Sequence, residues 1–126
     1  MYQRKTLIER WAAGRSMPVT PGATRLTLSI DGKYRVHLSE APNRKVSIES
    51  RVSDMPSDHT ERERLIEKAL QISAGRMRKD PCILAVDSLE AELLLQAEAS
   101  ADADERELSE TIGRFVNSLA FWRRVV

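Results

Sequence analysis

The sequence has few of the residues on which catalytic and metal-binding sites depend. It contains two histidines, one cysteine and five glycines among 126 residues. No second histidine or cysteine follows His37 or His59 at metal-ligand spacing, and nothing nearby orients either ring for nucleophilic catalysis. The glycines form no phosphate-binding loop. We therefore expect a protein that is not an enzyme and that binds no metal or cofactor.

Disulfides and membrane-spanning runs are also missing. A single cysteine, Cys82, excludes an internal disulfide and suits a reducing cytosol, and beside Pro81 we interpret it as a small buried apolar residue. No apolar stretch approaches the ~18 residues of a membrane span, and the N-terminus has no signal-peptide pattern. A net charge of +1 favours no polyanion. We expect one domain spanning residues 1–126, in the cytoplasm, with neither nucleic acid nor membrane as partner.

The first half of the sequence predicts a short helix followed by three strands. Helical spacing of apolar residues covers residues 3–13, and Gly14 is a plausible stop. Three runs then alternate with a period of two, at residues 26–30, 34–38 and 46–52. Asp31-Gly32 between the first two runs predicts a type I′ hairpin turn, which needs positive φ at both central residues. The three runs together predict a meander.

The second half predicts a helix, two strands and a final helix. Thr60 and Glu63 form a capping box for the second helix, with Asp58 as the alternative cap, and the helix runs to about Arg78. The apolar run Ile83–Val86 is typical of a strand covered on both faces, and we interpret residues 92–99 as a strand rather than a helix. Four acidic residues that open the last helix are interpreted as capping and dipole-complementing groups: Asp102, Asp104, Glu105 and Glu107.

These elements predict an α+β fold with the order α-β-β-β-α-β-β-α. We expect a two-layer domain in which helices pack on a twisted, mostly antiparallel sheet. The last helix has a core stripe of Leu108, Ile112, Phe115, Val116, Leu119 and Trp122.

The second helix carries more apolar surface than one contact with a core requires. Its apolar residues span an arc of roughly 200° on a helical wheel, whereas a helix on a single core needs a stripe a little over ~100° wide. We predict that one side packs on the helix's own sheet and the other on a second surface. The alternative is that the domain itself wraps the helix on both sides. The arc consists of Leu65, Ile66, Ala69, Leu70, Ile72, Ala74 and Met77.

Two further features are compatible with binding of an extended segment. The short first helix carries Leu7, Ile8 and Trp11, which either cover the sheet or form part of a groove. Gly113 lies four residues from Ser109 and from Asn117, a stripe of small side chains that allows close approach of the sheet or of a bound segment. Since the outward phase of the meander is polar, a ligand there would need an edge strand or a flanking apolar patch.

The whole chain resembles the class I chaperones of bacterial type III secretion, of the YscB-type and CesT-SycE-like kind. The similarity rests on the element order and on four stretches. These are residues 26–32 (LTLSIDG), the run from Leu65 through residues 81–87 (PCILAVD), residues 93–95 (LLL) and residues 115–122 (FVNSLAFW). Such chaperones are usually acidic, whereas this chain has a pI of about 7.9.

The resemblance implies a non-enzymatic chaperone that dimerises, as a homodimer or with a second small chaperone. It would hold the N-terminal segment of a secreted effector or gatekeeper protein in a soluble, secretion-competent form. The implied dimer residues are Leu70, Ala74, Met77, Ile83, Leu84, Ala85 and Val86. The implied cargo-binding residues are Leu7, Ile8, Trp11, Leu28 and Val36.

A different function class shares part of this topology. Residues 1–79 have the helix, three-strand, helix order of a double-stranded RNA-binding domain, so a small nucleic-acid-binding or adaptor domain is the alternative. That module needs lysines at the start of its second helix to meet phosphates. Here the helix starts with residues 57–64 (SDHTERER), which are of mixed charge.

Overall fold

The computed structural model describes residues 6–19, 22, 24–41, 43–76, 82–87, 89 and 91–126. The predicted element order and the α+β fold class are confirmed, including the strand over residues 92–99. The elements are α1 (Leu7–Ala13), β1 (Arg25–Ile30), β2 (Tyr34–Ala41), β3 (Lys45–Asp54), α2 (His59–Arg76), β4 (Ile83–Val86), β5 (Glu92–Ser100) and α3 (Glu105–Val125).

The strands form one sheet in the order β1-β2-β3-β5-β4, and each described pairing is antiparallel. α3 packs on β3 and β5, and α1 contacts both α3 and β2. These two helices therefore cover one face of the sheet, and the core lies between. β1 and β4 are left as the two edge strands of the sheet.

The core is built from the inward phase of the strands and the predicted stripe of α3. Of that stripe only Val116 is partly exposed. Ser50 interrupts the apolar phase of β3 but is fully buried, and its hydroxyl donates to the Arg35 carbonyl oxygen at 2.6 Å. The largest fully buried side chains are Phe115, Ile8, Leu38, Ile48, Leu95, Leu108 and Leu119.

Local signals set the turns and most of the helix starts. Asp31 and Gly32 have φ values of 55° and 65°, as the predicted type I′ turn requires. The predicted cap of α3 is confirmed, since Asp104 Oδ1 accepts from the Glu107 amide at 2.8 Å. α2 is capped by Asp58, the alternative to Thr60, because the Glu61 amide donates to Asp58 Oδ2 at 3.0 Å. Thr60 lies inside the helix.

Three predictions need correction, and one falls outside the described residues. α1 begins at Leu7, because Thr6 caps it by accepting from the Glu9 amide. β4 is not covered on both faces, since its position at the sheet edge leaves Ile83 66% exposed. Cys82 is half-buried rather than buried. The predicted end of α2 near Arg78 lies outside the described residues.

The sheet divides at one end between β2 and β3. Their pairing runs from Ala41 with Lys45 to His37 with Glu49 and stops, although both strands continue. Side chains bridge the unpaired stretch, which we call the β2–β3 seam (residues 34–36 and 50–54). Arg123 of α3 donates to the Arg51 carbonyl oxygen at 2.7 and 3.2 Å and to the Lys33 carbonyl oxygen at 3.1 Å.

Replacing Arg123 with alanine should therefore destabilise the fold. We expect a loss of about 1–2 kcal/mol in the free energy of unfolding, since two carbonyls lose a charged donor at a partly solvated site. Arg123→Lys should recover less than half of the loss, because an ammonium lacks the planar fork that bridges two acceptors. Urea denaturation measures both. Arg124→Ala is the matched control, because Arg124 is an exposed neighbour, and equal stability of the two alanine variants would contradict the bridging role.

The topology separates this chain from the double-stranded RNA-binding alternative. In that reading residues 1–79 fold as a unit, yet β5 pairs along nearly all of β3 from Asp54 to Lys45. α2 has one buried residue, Ala69. The helix therefore does not pack on the meander as the alternative requires.

Candidate functional site

α2 presents an apolar face to solvent. Leu65 and Ile72 pack against the core beside the buried Ala69, whereas Ile66 and Leu70 on the other side are 39% and 65% exposed. The prediction that one side packs on the helix's own sheet is met only in part, since Leu65 and Ile72 reach the core while α2 makes few close contacts with any described strand. Contact of the other side with a second surface stays a prediction.

A groove of about 540 Å³ runs between α2 and β4. We call it the α2–β4 groove. Its base contains the buried Leu93 and Trp122, and Arg76 closes one end with its guanidinium carbon 3.7 Å from the centre of the Phe121 ring. Its lining is predominantly apolar: Ile66, Ala69, Leu70, Ser73, Arg76, Cys82, Ile83, Leu84, Ala85, Val86, Leu93 and Trp122.

Among the described residues, β4 pairs with β5 alone, so its other backbone edge, beside this groove, has no strand partner there. The Asp87 amide donates to the Glu92 carbonyl oxygen at 3.1 Å, so Asp87 faces β5. Because successive residues of a strand direct their backbone groups to opposite sides, Leu84 and Val86 direct theirs to the open edge. The exposed side chains and the free strand edge thus occur in the same place.

The structure brings together most of the residues predicted for dimerisation. Leu70 and the four residues of β4 all line the α2–β4 groove. Ala74 is exposed on α2 outside the groove lining, and Met77 lies outside the described residues. Trp122 at the groove base could not be predicted as a site residue, because its spacing in the sequence is the same as that of the other residues in the α3 core stripe. Whether this face forms a dimer remains a prediction.

A second groove, of about 500 Å³, lies between β1 and α3. We call it the β1–α3 groove. The small-residue stripe of Ser109, Gly113 and Asn117 forms one wall, and a Cβ built on Gly113 meets nothing within 4 Å. Trp11 is held at the end of the groove because its indole N–H donates to Ser109 Oγ at 2.8 Å. Leu28, Ile30, Met17, Ile112 and Val116 supply apolar surface, and Ser29 and Arg15 also line the groove, with Arg15 Nη2 donating to Ser109 Oγ at 2.6 Å.

The residues predicted for cargo binding are all buried. Leu7, Ile8 and Val36 are at most 2% exposed and line neither groove. Their side chains lie on the sides of α1 and β2 that face the core. In this structure they stabilise the fold and are not accessible at the surface. Trp11 and Leu28 are also mostly buried but line the β1–α3 groove, and for these two contact with cargo stays a prediction.

The edge strand β1 borders this second groove. Thr24 and Ile30 accept backbone hydrogen bonds from the β2 side, at 2.8 and 3.0 Å. The intervening odd-numbered residues Arg25, Thr27 and Ser29 therefore direct their backbone groups to the open edge. An extended segment could add to this edge while its side chains enter the groove.

Comparison with protein families assigns the chain. A family model described as the Tir chaperone protein (CesT) family matches residues 18–123. The chain belongs to the Tir chaperone protein (CesT) family. The resemblance to class I type III secretion chaperones is thereby confirmed. No curated protein matches the sequence.

Solved structures share the fold of this CesT-family chain at low sequence identity. The ExoU-SpcU heterodimeric complex from the type III secretion system of Pseudomonas aeruginosa has 18% identity and a TM-score of 0.70, covering 94% of this chain and 97% of that chain. The ExsC-ExsE complex has 17% identity and a TM-score of 0.70, with 94% and 90% covered. YbjN, a putative transcription regulator from E. coli, has 11% identity and a TM-score of 0.60, with 92% and 85% covered.

These likenesses, all at 18% identity or less, show a shared fold and do not by themselves assign a function. The family match is what connects this chain to chaperones. Within its described part, the chain has no helix that is both long and apolar enough to cross a membrane.

Proposed function

We propose that this chain is a non-enzymatic chaperone of the bacterial cytoplasm that dimerises and binds the N-terminal segment of a type III secreted protein. The cargo would be an effector or a gatekeeper. The observation that carries the proposal is the match to a chaperone family over residues 18–123. Two structural neighbours support it, since one is a heterodimeric complex from a type III secretion system and another a two-protein complex.

The α2–β4 groove is the proposed dimer face. It combines exposed apolar side chains on two elements with an open strand edge, and exposed apolar patches of this kind mark protein interfaces. A second small chaperone, identical or different, would cover Leu70 and Ile83 and supply β4 with a strand partner. Dimerisation would thus bury the apolar side chains of β4, which the apolar run Ile83–Val86 predicts to be covered on both faces.

The β1–α3 groove with the β1 edge is the proposed cargo site. An extended segment gains main-chain hydrogen bonds from Arg25, Thr27 and Ser29 and places alternate apolar side chains between Leu28 and α3. Ordering a disordered segment consumes part of the interaction free energy, so a few apolar anchors decide the affinity. The segment is held unfolded by binding alone, without ATP or any covalent step.

The test is to capture the tagged full chain from its own cells, digest the captured complex with a protease, and identify the protected species by mass spectrometry. We expect one larger protein protected only in an N-terminal segment, with or without a second small subunit. A fully folded partner protected throughout, bound nucleic acid, or the chain alone would overturn the proposal.

A further inference from the structure

A third cavity opens at the β2–β3 seam and has a different chemistry from the two apolar grooves. It encloses about 480 Å³, and we call it the basic cleft. Four of its lining residues are cationic and one is a carboxylate, Glu92, in a chain whose net charge is only +1. The lining consists of Ser29, Gly32, Lys33, Tyr34, Arg35, His37, Ser50, Arg51, Glu92 and Arg123.

The end of β2–β3 pairing creates the cleft. Beyond His37 and Glu49 the two strands exchange no ladder hydrogen bonds, so the cationic side chains of Arg35 and Arg51 flank a gap rather than a continuous sheet. Ser50 and Arg123 satisfy carbonyls across that gap. The cleft is therefore a preformed feature of the fold.

Arg123 is fixed in the cleft before any ligand arrives. Three of its five N–H groups donate to backbone carbonyls, and its guanidinium carbon lies 5.2 Å from the centre of the Tyr34 ring. Two N–H groups remain for a ligand. Arg51 is oriented by an ion pair in which its Nη1 donates to Asp54 Oδ1 at 2.8 Å, so the unpaired positive charge of the cleft comes from Lys33, Arg35 and Arg123. Oriented guanidinium groups bind carboxylates with little further loss of side-chain freedom.

The cleft adjoins the proposed cargo site. Ser29 lines both the β1–α3 groove and the basic cleft. A segment that follows the open edge of β1 toward Ile30 therefore passes from a groove that is mainly apolar, with Arg15 as its one cationic lining residue, to a cleft lined by four cationic side chains. A segment that fits both surfaces therefore needs apolar residues where it contacts the β1–α3 groove and acidic residues where it reaches the basic cleft.

We propose that the basic cleft binds an acidic peptide segment that flanks the apolar stretch of the cargo. This inference rests on the proposed function and adds the sequence class of the cargo, an apolar stretch with aspartate or glutamate next to it. A peptide fits the cleft better than a nucleic acid, because single-stranded nucleic acids need aromatic stacking platforms. Among the described residues that line the cleft, the aromatic rings are Tyr34, which Arg123 covers, and His37, which is hydrogen-bonded to Thr27.

The first experiment titrates the isotope-labelled full chain with acetylated hexaglutamate at about 50 mM salt, where charges act over more than 10 Å, and follows amide shifts by NMR. We expect saturable shifts centred on Lys33, Arg35 and Arg51. The double variant Lys33→Glu/Arg35→Glu should bind about tenfold more weakly or worse, since each lost pairing with a carboxylate is charge-assisted.

The matched control is Arg64→Glu/Lys68→Glu, which changes the net charge equally. Both residues are exposed on α2 and line none of the three cavities. Affinity of the control should stay within about twofold, as expected for distant screened charges. Equal losses in both double variants, shifts centred elsewhere, or tighter binding of hexathymidylate than of hexaglutamate would each overturn the proposal.

A second measurement separates this inference from the proposed function. The wild-type chain and the Lys33→Glu/Arg35→Glu variant are each used to capture partners from the cells. Reduced capture of the secreted partner by the variant supports the cleft. Full capture by the variant overturns the acidic-segment proposal while the chaperone proposal stands, and no partner on the wild-type chain overturns the chaperone proposal itself.

Discussion

A Leu70→Glu chain should be monomeric at concentrations where the parent chain is dimeric. Leu70 is 65% exposed at the rim of the α2–β4 groove. Burying it in an interface contributes at least about 1.5 kcal/mol, and a two-fold interface contains the residue twice. A glutamate there adds the cost of an unpaired buried charge. The dimer dissociation constant should therefore rise more than about 100-fold, as sedimentation velocity would measure.

The fold of the monomer should not be affected by the same change. Because Leu70 has little contact with its own core, the melting temperature of the monomeric variant should match that of the diluted parent. Lys68→Glu is the control, since this residue is exposed on the same helix and lines neither groove. Unchanged dimerisation of Leu70→Glu at micromolar concentration would place the interface elsewhere.

A Gly113→Leu chain should lose its cargo while keeping its fold and its dimer. A side chain at Gly113 enters the β1–α3 groove without meeting any atom of the chain within 4 Å of its Cβ. It therefore competes with the cargo's apolar anchor, whose loss costs ~2 kcal/mol, or about 30-fold in affinity. Titration with the captured N-terminal segment measures the effect.

The Gly113→Leu substitution should raise the stability of the fold while it lowers the affinity for cargo. Leucine is favoured over glycine in a helix interior by roughly 0.5–1 kcal/mol, so Gly113→Leu should melt at a higher temperature than the parent. Gly75→Leu is the matched control: its Cβ is also unobstructed, it lies in α2, and it lines neither groove. If both leucine variants bind cargo like the parent, the groove is not the cargo site.

Gly113 is a better probe of this site than Trp11. Trp11 is 6% exposed and donates to Ser109, so its truncation to alanine costs about 3–5 kcal/mol of folding free energy. Loss of cargo in that variant would not distinguish a lost contact from a lost fold. A substitution that adds atoms to an empty groove avoids this ambiguity.

The sequence predicted the elements better than it predicted which surfaces remain open. Period-two alternation, Asp31-Gly32 and the Asp104 cap are local signals, and each appears in the structure as expected. Burial depends on neighbours distant in sequence. The run Ile83–Val86 is apolar enough for a central strand, yet β5 inserts between β3 and β4 and leaves β4 at the edge.

The same limit explains the candidate site residues. Leu70 and β4 could be predicted because an apolar arc of ~200° exceeds what one core covers. Leu7, Ile8 and Val36 could not be distinguished from groove residues, because apolar spacing is the same for a core and for a binding groove. The basic cleft could not be predicted at all, since it depends on where the β2–β3 ladder ends.

The position of α3 sets the order in which this chain can fold. The meander is complete by Asp54, but the helix that covers β3 and β5 consists of residues 105–125, made after all five strands. Until those residues leave the ribosome, the inner faces of Val46 and Ile48 lack the helix that packs on β3. Pairing of β3 with β5 must also close across α2, a long loop whose closure slows folding. A chaperone of this architecture is therefore itself exposed to aggregation during its own synthesis. That exposure ends when α3 is made and covers the apolar face of β3 and β5.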